Sequence, residues 1–201
     1  MADNNHILRQ SMPNGVEFNV VRARDKGLLY DQNALSRLYE LIESDAKAHG
    51  TSVSKDNLGR VMHSICAGKL QACFLFTRLQ KGLPQYAGGA IELPSVFTRW
   101  NGNSFVHYPA TYSEDTFVYP ELSAKFRAET KTALNPKGIG LGTCFTHERI
   151  RLASAVSNSE LSFGKISRAR ISENAQDNHA MLHILKKLGA TVETKNGQIL
   201  E

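Results

Sequence analysis

A chain of 201 residues, 41% of them hydrophobic, is long enough to form one domain with an ordinary core. The formal net charge of +5 suits acidic partners such as a phosphorylated coenzyme, but no run of like charge forms a basic arm, which argues against nucleic acid. No segment is apolar over the length of a membrane span, and the polar first 15 residues lack the pattern of a signal peptide. The three cysteines lack metal-site spacing, so we expect free thiols in the reducing cytoplasm.

The first half of the chain predicts one strand, two helices and three further strands. The elements are strand 16–25, helix 31–50, a helix from Ser54, and strands 71–79, 85–94 and 110–120. Leu35, Leu38 and Ile42 stand at helical spacing in the first helix. Either Asp31 or Asn33 can cap the start of that helix.

The second half predicts two helices that alternate with strands. The elements are helix 143–156, strand 165–171, helix 177–189 and a hairpin over 191–201. Gly189 is typical of a helix end, and Asn196-Gly197 is the strongest short turn signal in the chain. The order predicts an α/β (α+β) fold whose first half is largely antiparallel.

A glycine-rich loop, "NPKGIGLGT" (135–143), precedes the first helix of this half. It is not a Walker A loop, because Lys137 stands before the glycines and no lysine stands between Gly142 and Thr143. It also lacks the glycine spacing of a dinucleotide fingerprint. What remains is Lys137-x-x-Gly140-x-Gly142, whose backbone N–H groups could hold a pyrophosphate at a helix N-terminus. A plain glycine-rich turn stays an open alternative.

Three segments together resemble the GNAT superfamily of N-acetyltransferases. "KGIGLGT" resembles its basic-x-x-Gly-x-Gly/Ala coenzyme loop. "ISENAQDNHAMLHILKKLGA" resembles its later strand and helix, with Asn178 at the helix start and Leu188-Gly189 at the end. "TYSEDTFVYPEL" is similar to the central strand of diamine and polyamine acetyltransferases. The three segments occur in the order that the family has.

The resemblance implies a fold, a cofactor and a reaction. It implies a GNAT-like domain over 16–201 after a tail at 1–15, with a mixed central sheet of about 6–7 strands and helices on both faces. The expected co-substrate is acetyl-CoA without a metal, and the expected acceptor is a primary amine of a small cationic molecule. Two alternative functions remain open: a protein or aminoacyl-tRNA acetyltransferase, and a catalytically degenerate CoA-binding domain. A homodimer is a further open expectation.

The chain departs from the family pattern at two functional places. About a dozen extra residues separate the central strand from the coenzyme loop, within a predicted insert at 121–136. Alternatively, the true central strand is 126–136. Many members also place a tyrosine seven residues after the helix asparagine, as the general acid for the leaving thiolate. This chain has Leu185 at that position.

Catalytic residues are expected on the predicted central strand. The resemblance implies that a backbone N–H near Phe117 or Val118 stabilises the negative charge that develops on the thioester oxygen. Glu114 is the expected base for the attacking amine, and Asp115 should point to the opposite face if the strand is regular. Tyr112, Tyr119, a histidine or water would protonate the leaving thiolate. Glu129, if 126–136 is the central strand, and Glu92 are alternative carboxylates.

Coenzyme contacts are expected in the loop and at the start of the last helix. The loop residues that would hold the pyrophosphate are Lys137, Gly138, Gly140, Leu141, Gly142 and Thr143. Asn178 would contact the pantetheine arm or cap its own helix. Cys144 is expected to be a packing residue and not a nucleophile, because no histidine partner stands at a recognisable spacing.

Overall fold

The computed structural model describes residues 15–24, 27–48, 50, 52–156, 168–171, 178–194 and 198–200. The chain divides into two compact units, Met1–Leu141 and Gly142–Glu201. The elements are β1 (Glu17–Arg22), α1 (Gln32–Ala48), α2 (Lys55–Cys66), β2 (Gln71–Arg78), β3 (Gln85–Trp100), β4 (Phe105–Val118), α3 (Pro120–Glu129), α4 (Leu141–Val156), β5 (Arg168–Ile171), α5 (His179–Lys187) and β6 (Thr191–Thr194). The fold class is therefore mixed α/β, as the sequence predicts.

Local signals begin the first two helices. The Asp31 carboxylate accepts the Asn33 N–H at 2.8 Å at the start of α1. The Ser54 hydroxyl accepts the Asn57 N–H at 3.2 Å and caps α2, the helix predicted to start there. The buried stripe of α1 consists of Ala34, Leu38, Leu41 and Ile42. Leu35, although at helical spacing with Leu38 and Ile42, lies off that stripe and is exposed.

The first unit is built on a four-stranded antiparallel sheet of order β1-β2-β3-β4. Leu38 of α1 and Ile65 of α2 share one core cluster with Phe74 of β2, so both helices cover one face. The opposite face carries Phe18, whose ring meets that of Phe126 of α3 edge-on at 6.3 Å. Helices therefore lie on both faces of this sheet.

The predicted insert is largely a helix. Pro120 occupies the first turn of α3, where a missing N–H costs nothing, and Phe126 of the same helix is fully buried. The alternative central strand at 126–136 is therefore wrong. The strand before the loop is β4, which begins at Phe105 and not at residue 110.

The second unit contains a two-stranded parallel sheet of β5 and β6. Leu185 of α5 packs with Ala190 and Val192, and Gly189, with φ +86°, lets the chain leave the helix. An antiparallel bridge joins Glu193 to Ile199, while the predicted turn 196–197 lies outside the described residues. The described strands thus form two sheets, and a single sheet of 6–7 strands stays a prediction.

Candidate functional site

The glycine loop is tethered to the end of α3 by one buried hydroxyl. Thr130 Oγ1 donates to the Phe126 carbonyl at 2.8 Å and accepts the Ile139 N–H at 2.8 Å. Thr130 is not predictable from the sequence, because a hydrogen bond over nine residues leaves no local pattern. The tether fixes the approach of the chain to the start of α4.

Gly138 is required by packing. Its φ is +70°, and a Cβ there would overlap the carbonyl oxygen of Arg127. Its N–H donates to the Asn135 carbonyl at 3.1 Å. The amides of Gly138 and Ile139 are therefore already engaged, by Asn135 within the loop and by Thr130 at the end of α3, and do not bind a phosphate.

The amides that follow are available. Among the described residues, no hydrogen-bond acceptor engages the N–H groups of Gly140, Leu141, Gly142 or Thr143. Leu141 begins α4, so these donors lie at the positive end of that helix dipole. The Leu141 side chain is fully buried, which holds the backbone in place, and Lys137, four residues earlier, is exposed. This segment can bind an anion through its main chain.

β4 carries a bulge at the predicted catalytic carboxylates. Ala90 pairs with Thr116 and Glu92 pairs with Ser113, so two residues of β4 stand opposite the single residue Ile91. Those two residues are 114 and 115, and their side chains lie outside the described part of the structure. The strand is not regular there, so simple alternation does not assign opposite faces to Glu114 and Asp115.

The backbone geometry separates the two predicted oxyanion donors. Tyr119 N–H donates to the Ala87 carbonyl at 2.8 Å, so this N–H points towards β3. Because backbone groups alternate along a strand, Phe117 also faces β3, and Val118 N–H faces the outer edge of β4. No described strand of the first unit occupies that edge. Val118 is therefore the better candidate, and the Phe117 side chain belongs to the core.

The alternative carboxylates differ in their surroundings. Glu92 is buried on β3 and accepts a hydrogen bond from the Ser113 hydroxyl at 2.9 Å. Glu129 ends α3 and is not on a strand, which removes the reason for choosing it. Tyr112 lies on β4 and is half-exposed, so a phenol is available on this strand.

The last helix provides a cap and not an acid. The Asn178 side-chain oxygen accepts the Met181 N–H at 3.0 Å, so the predicted capping role is confirmed. Leu185 is buried in the core of the second unit at the position where many GNAT members place a tyrosine. His183 on the same helix is exposed.

Two groups on α4 have perturbed acidity. Burial raises the pKa of the Cys144 thiol to about 11, which supports the predicted packing role because little thiolate exists at neutral pH. Burial also raises the pKa of Glu148, but hydrogen bonds with His147 and Arg151 outweigh it and hold that pKa below its ordinary value. The Arg151 Nε lies 2.8 Å from the carboxylate. This cluster is not among the predicted site residues, although the spacing of Glu148 and Arg151 along a helix is a signal for such a pair.

Glu148→Gln is expected to destabilise the protein by about 1–3 kcal/mol at pH 7, where the charged hydrogen bonds are intact. The folded-state pKa is depressed, so this contribution is present above the unfolded pKa and is lost as pH falls from about 5 through the folded-state pKa. Urea unfolding of both proteins at pH 7 and at lower pH measures the difference. The difference in the free energy of unfolding between the variant and the wild type should shrink on acidification. Glu43→Gln, at an exposed position on α1, should unfold like the wild type at both pH values. A difference in the free energy of unfolding that stays constant with pH would contradict the charged interaction of Glu148 with His147 and Arg151.

Comparisons with models of known protein families, with curated proteins and with solved structures found no match. Within the described ranges, no group of three or more His, Cys, Asp or Glu side chains could hold a metal ion. In the same ranges, no helix combines the length and apolar character that crossing a bilayer requires. A proposal for function therefore depends on the residues of this chain.

Proposed function

We propose that the protein is an acetyl-CoA-dependent N-acetyltransferase that acts on a primary amine of a small cationic molecule. The observation that carries the proposal is the run of amides from Gly140 to Thr143, at the start of α4, which no acceptor engages among the described residues. These donors follow the basic-x-x-Gly-x-Gly pattern and suit the diphosphate of the acyl donor. The outward N–H of Val118 also supports it, because the resemblance expects an oxyanion donor near Phe117 or Val118, and the β4 bulge interrupts the strand at the expected carboxylates.

The proposed reaction needs three groups from the protein. The amine nitrogen attacks the thioester carbonyl carbon, an amide C–N bond forms and the C–S bond breaks. Glu114 takes the proton that the amine loses, directly or through water. The Val118 N–H stabilises the negative oxygen of the tetrahedral intermediate. The CoA thiolate takes a proton from Tyr112 or water.

A second candidate is a CoA-binding domain without catalysis. The observation that favours it is Leu185, an apolar core residue where an acidic tyrosine would protonate the thiolate. This candidate keeps the diphosphate contacts and removes the transfer step. A protein amine or an aminoacyl-tRNA are alternative acceptors, and a steep loss of activity with added salt would favour the tRNA.

Calorimetry near physiological ionic strength tests the coenzyme site. We expect acetyl-CoA to bind and S-acetylpantetheine, which lacks the diphosphate, to bind much more weakly. Equal heats from the two compounds, or none from acetyl-CoA, would remove the basis of the proposal. If acetyl-CoA binds, release of free CoA with a panel of amines decides between the two candidates. Binding without release above the hydrolysis background favours the non-catalytic domain.

A further inference from the structure

A two-stranded ribbon extends past the four-stranded sheet. β2 pairs with β3 only as far as Gln71 and Glu92, whereas β3 and β4 stay paired out to Trp100 and Phe105. Among the described residues of the first unit, the strands of residues 93–112, the β3–β4 arm, therefore have no strand neighbour other than each other. Eight residues per strand give the arm a length of about 27 Å. An isolated ribbon of this kind is marginally stable in water, so we expect a surface to cover it.

Both outer edges of the β3–β4 arm are blocked by prolines. Pro94 of β3 and Pro109 of β4 belong to cross-strand pairs that are two positions apart. Because hydrogen-bonded and non-hydrogen-bonded pairs alternate along an antiparallel ladder, the two pairs are of the same kind. A proline nitrogen has no hydrogen to give its partner strand, so both nitrogens face outward. The turn agrees with this assignment. Asn101 N–H donates to the Ser104 carbonyl at 3.1 Å, so counting along the ladder from this hydrogen-bonded pair puts both prolines at non-hydrogen-bonded positions. Prolines on free edges oppose strand addition, so the arm should bind through a face.

One face of the arm carries an exposed apolar stripe. Val96, Trp100 and Phe105 are 60%, 53% and 65% exposed. Trp100 and Phe105 are cross-strand partners whose rings meet edge-on at 5.0 Å. Between them and Val96, Thr98 Oγ1 lies 2.9 Å from His107 Nδ1. These five residues, the arm face, share one side of the ribbon because side chains alternate along each strand.

The charge pattern indicates what covers the arm face. The chain is 21% charged, yet Arg99 is the single charged residue, with histidine neutral, among the twenty residues of the arm. Arg99 lies on the opposite side of the ribbon from the arm face. A nucleic acid would need cations here, and an acidic or basic protein would need an opposite charge. An uncharged, apolar partner surface is required.

We propose that the arm face binds the arm face of a second copy of this chain. A two-fold axis near Thr98 and His107 would set Trp100 and Phe105 of one copy against Val96 of the other. The spacing fits, because Val96 and Trp100 are four residues apart, about 14 Å along the strand. The aromatic and aliphatic ends of one face thus complement each other when the face meets itself, as a two-fold interface requires.

Sedimentation of the full chain over a wide concentration range tests the proposal. We expect a monomer–dimer equilibrium for the wild type. Val96→Glu should weaken it about 100-fold, because symmetry places two buried carboxylates in each dimer. Ser95→Glu is the matched control: the residue is adjacent and exposed but lies on the other side of the ribbon, so it should dimerise like the wild type.

Three results would overturn the dimer. One is a wild type that stays monomeric at every concentration, which would mean that the arm face serves a different protein or none. The second is a Val96→Glu variant that dimerises as tightly as the wild type. The third is an equal loss in Val96→Glu and Ser95→Glu. Far-ultraviolet circular dichroism of each variant confirms that the sheet is intact, so that a loss of dimer reports the interface.

Discussion

Glu114→Gln is expected to lower kcat for acetyl transfer by a factor of about 10²–10⁴, the range that a positioned general base contributes. Glutamine keeps the size of the side chain but cannot take the proton that the attacking amine must lose. The position lies in the β4 bulge, an irregularity of the kind that is over-represented next to active sites. Steady-state release of CoA from acetyl-CoA with the best amine of the panel measures the effect.

Asp115→Asn is the matched control for this prediction. It removes the neighbouring carboxylate within the same bulge, and we expect kcat to change by less than about tenfold, as for a residue that holds no reacting proton. Acetyl-CoA should bind both variants as it binds the wild type. If Asp115→Asn has the larger effect, the base is Asp115. If neither variant changes kcat, the base lies elsewhere, and Glu92 is then the next carboxylate to replace.

Local chemistry made the helix ends of this fold predictable. Ser54 and Asn178 accept backbone N–H groups three residues on, and Gly189 adopts the left-handed conformation that ends α5. Each of these features depends on a few neighbouring residues, so a sequence pattern can identify it. The antiparallel first half followed from alternation and from turn residues in the same way.

The features that shape the candidate site depend on distant residues. The β4 bulge is a shift of register between two strands, and nothing in "YSEDTFV" itself indicates it. Thr130 reaches nine residues along the chain to Ile139. Only an insert or a strand is predicted over this stretch and no helix at α3, although Pro120 at its first turn is a helix signal. Strand pairing and tertiary packing determine these features. Neither can be identified from a short stretch of sequence.

Gly138→Ala is expected to destabilise the protein by about 3 kcal/mol. Two costs add: the alanine must adopt φ near +70°, and its Cβ would overlap the Arg127 carbonyl, which is backbone and has little freedom to move. The loop would have to leave the end of α3, which breaks the bond from Ile139 to Thr130. Thermal unfolding measures the change, and for a chain of this length Tm should fall by about 6–12 °C.

Gly189→Ala separates the two costs. Gly189 also has a positive φ, +86°, but among the described residues no atom lies within 4 Å of the added Cβ. We therefore expect only the conformational cost, about 1 kcal/mol. Equal destabilisation by both variants would show that the Arg127 contact contributes nothing. If Gly138→Ala also weakens acetyl-CoA binding while Gly189→Ala does not, the tether at Thr130 and Ile139 positions the amides from Gly140 to Thr143 for the diphosphate.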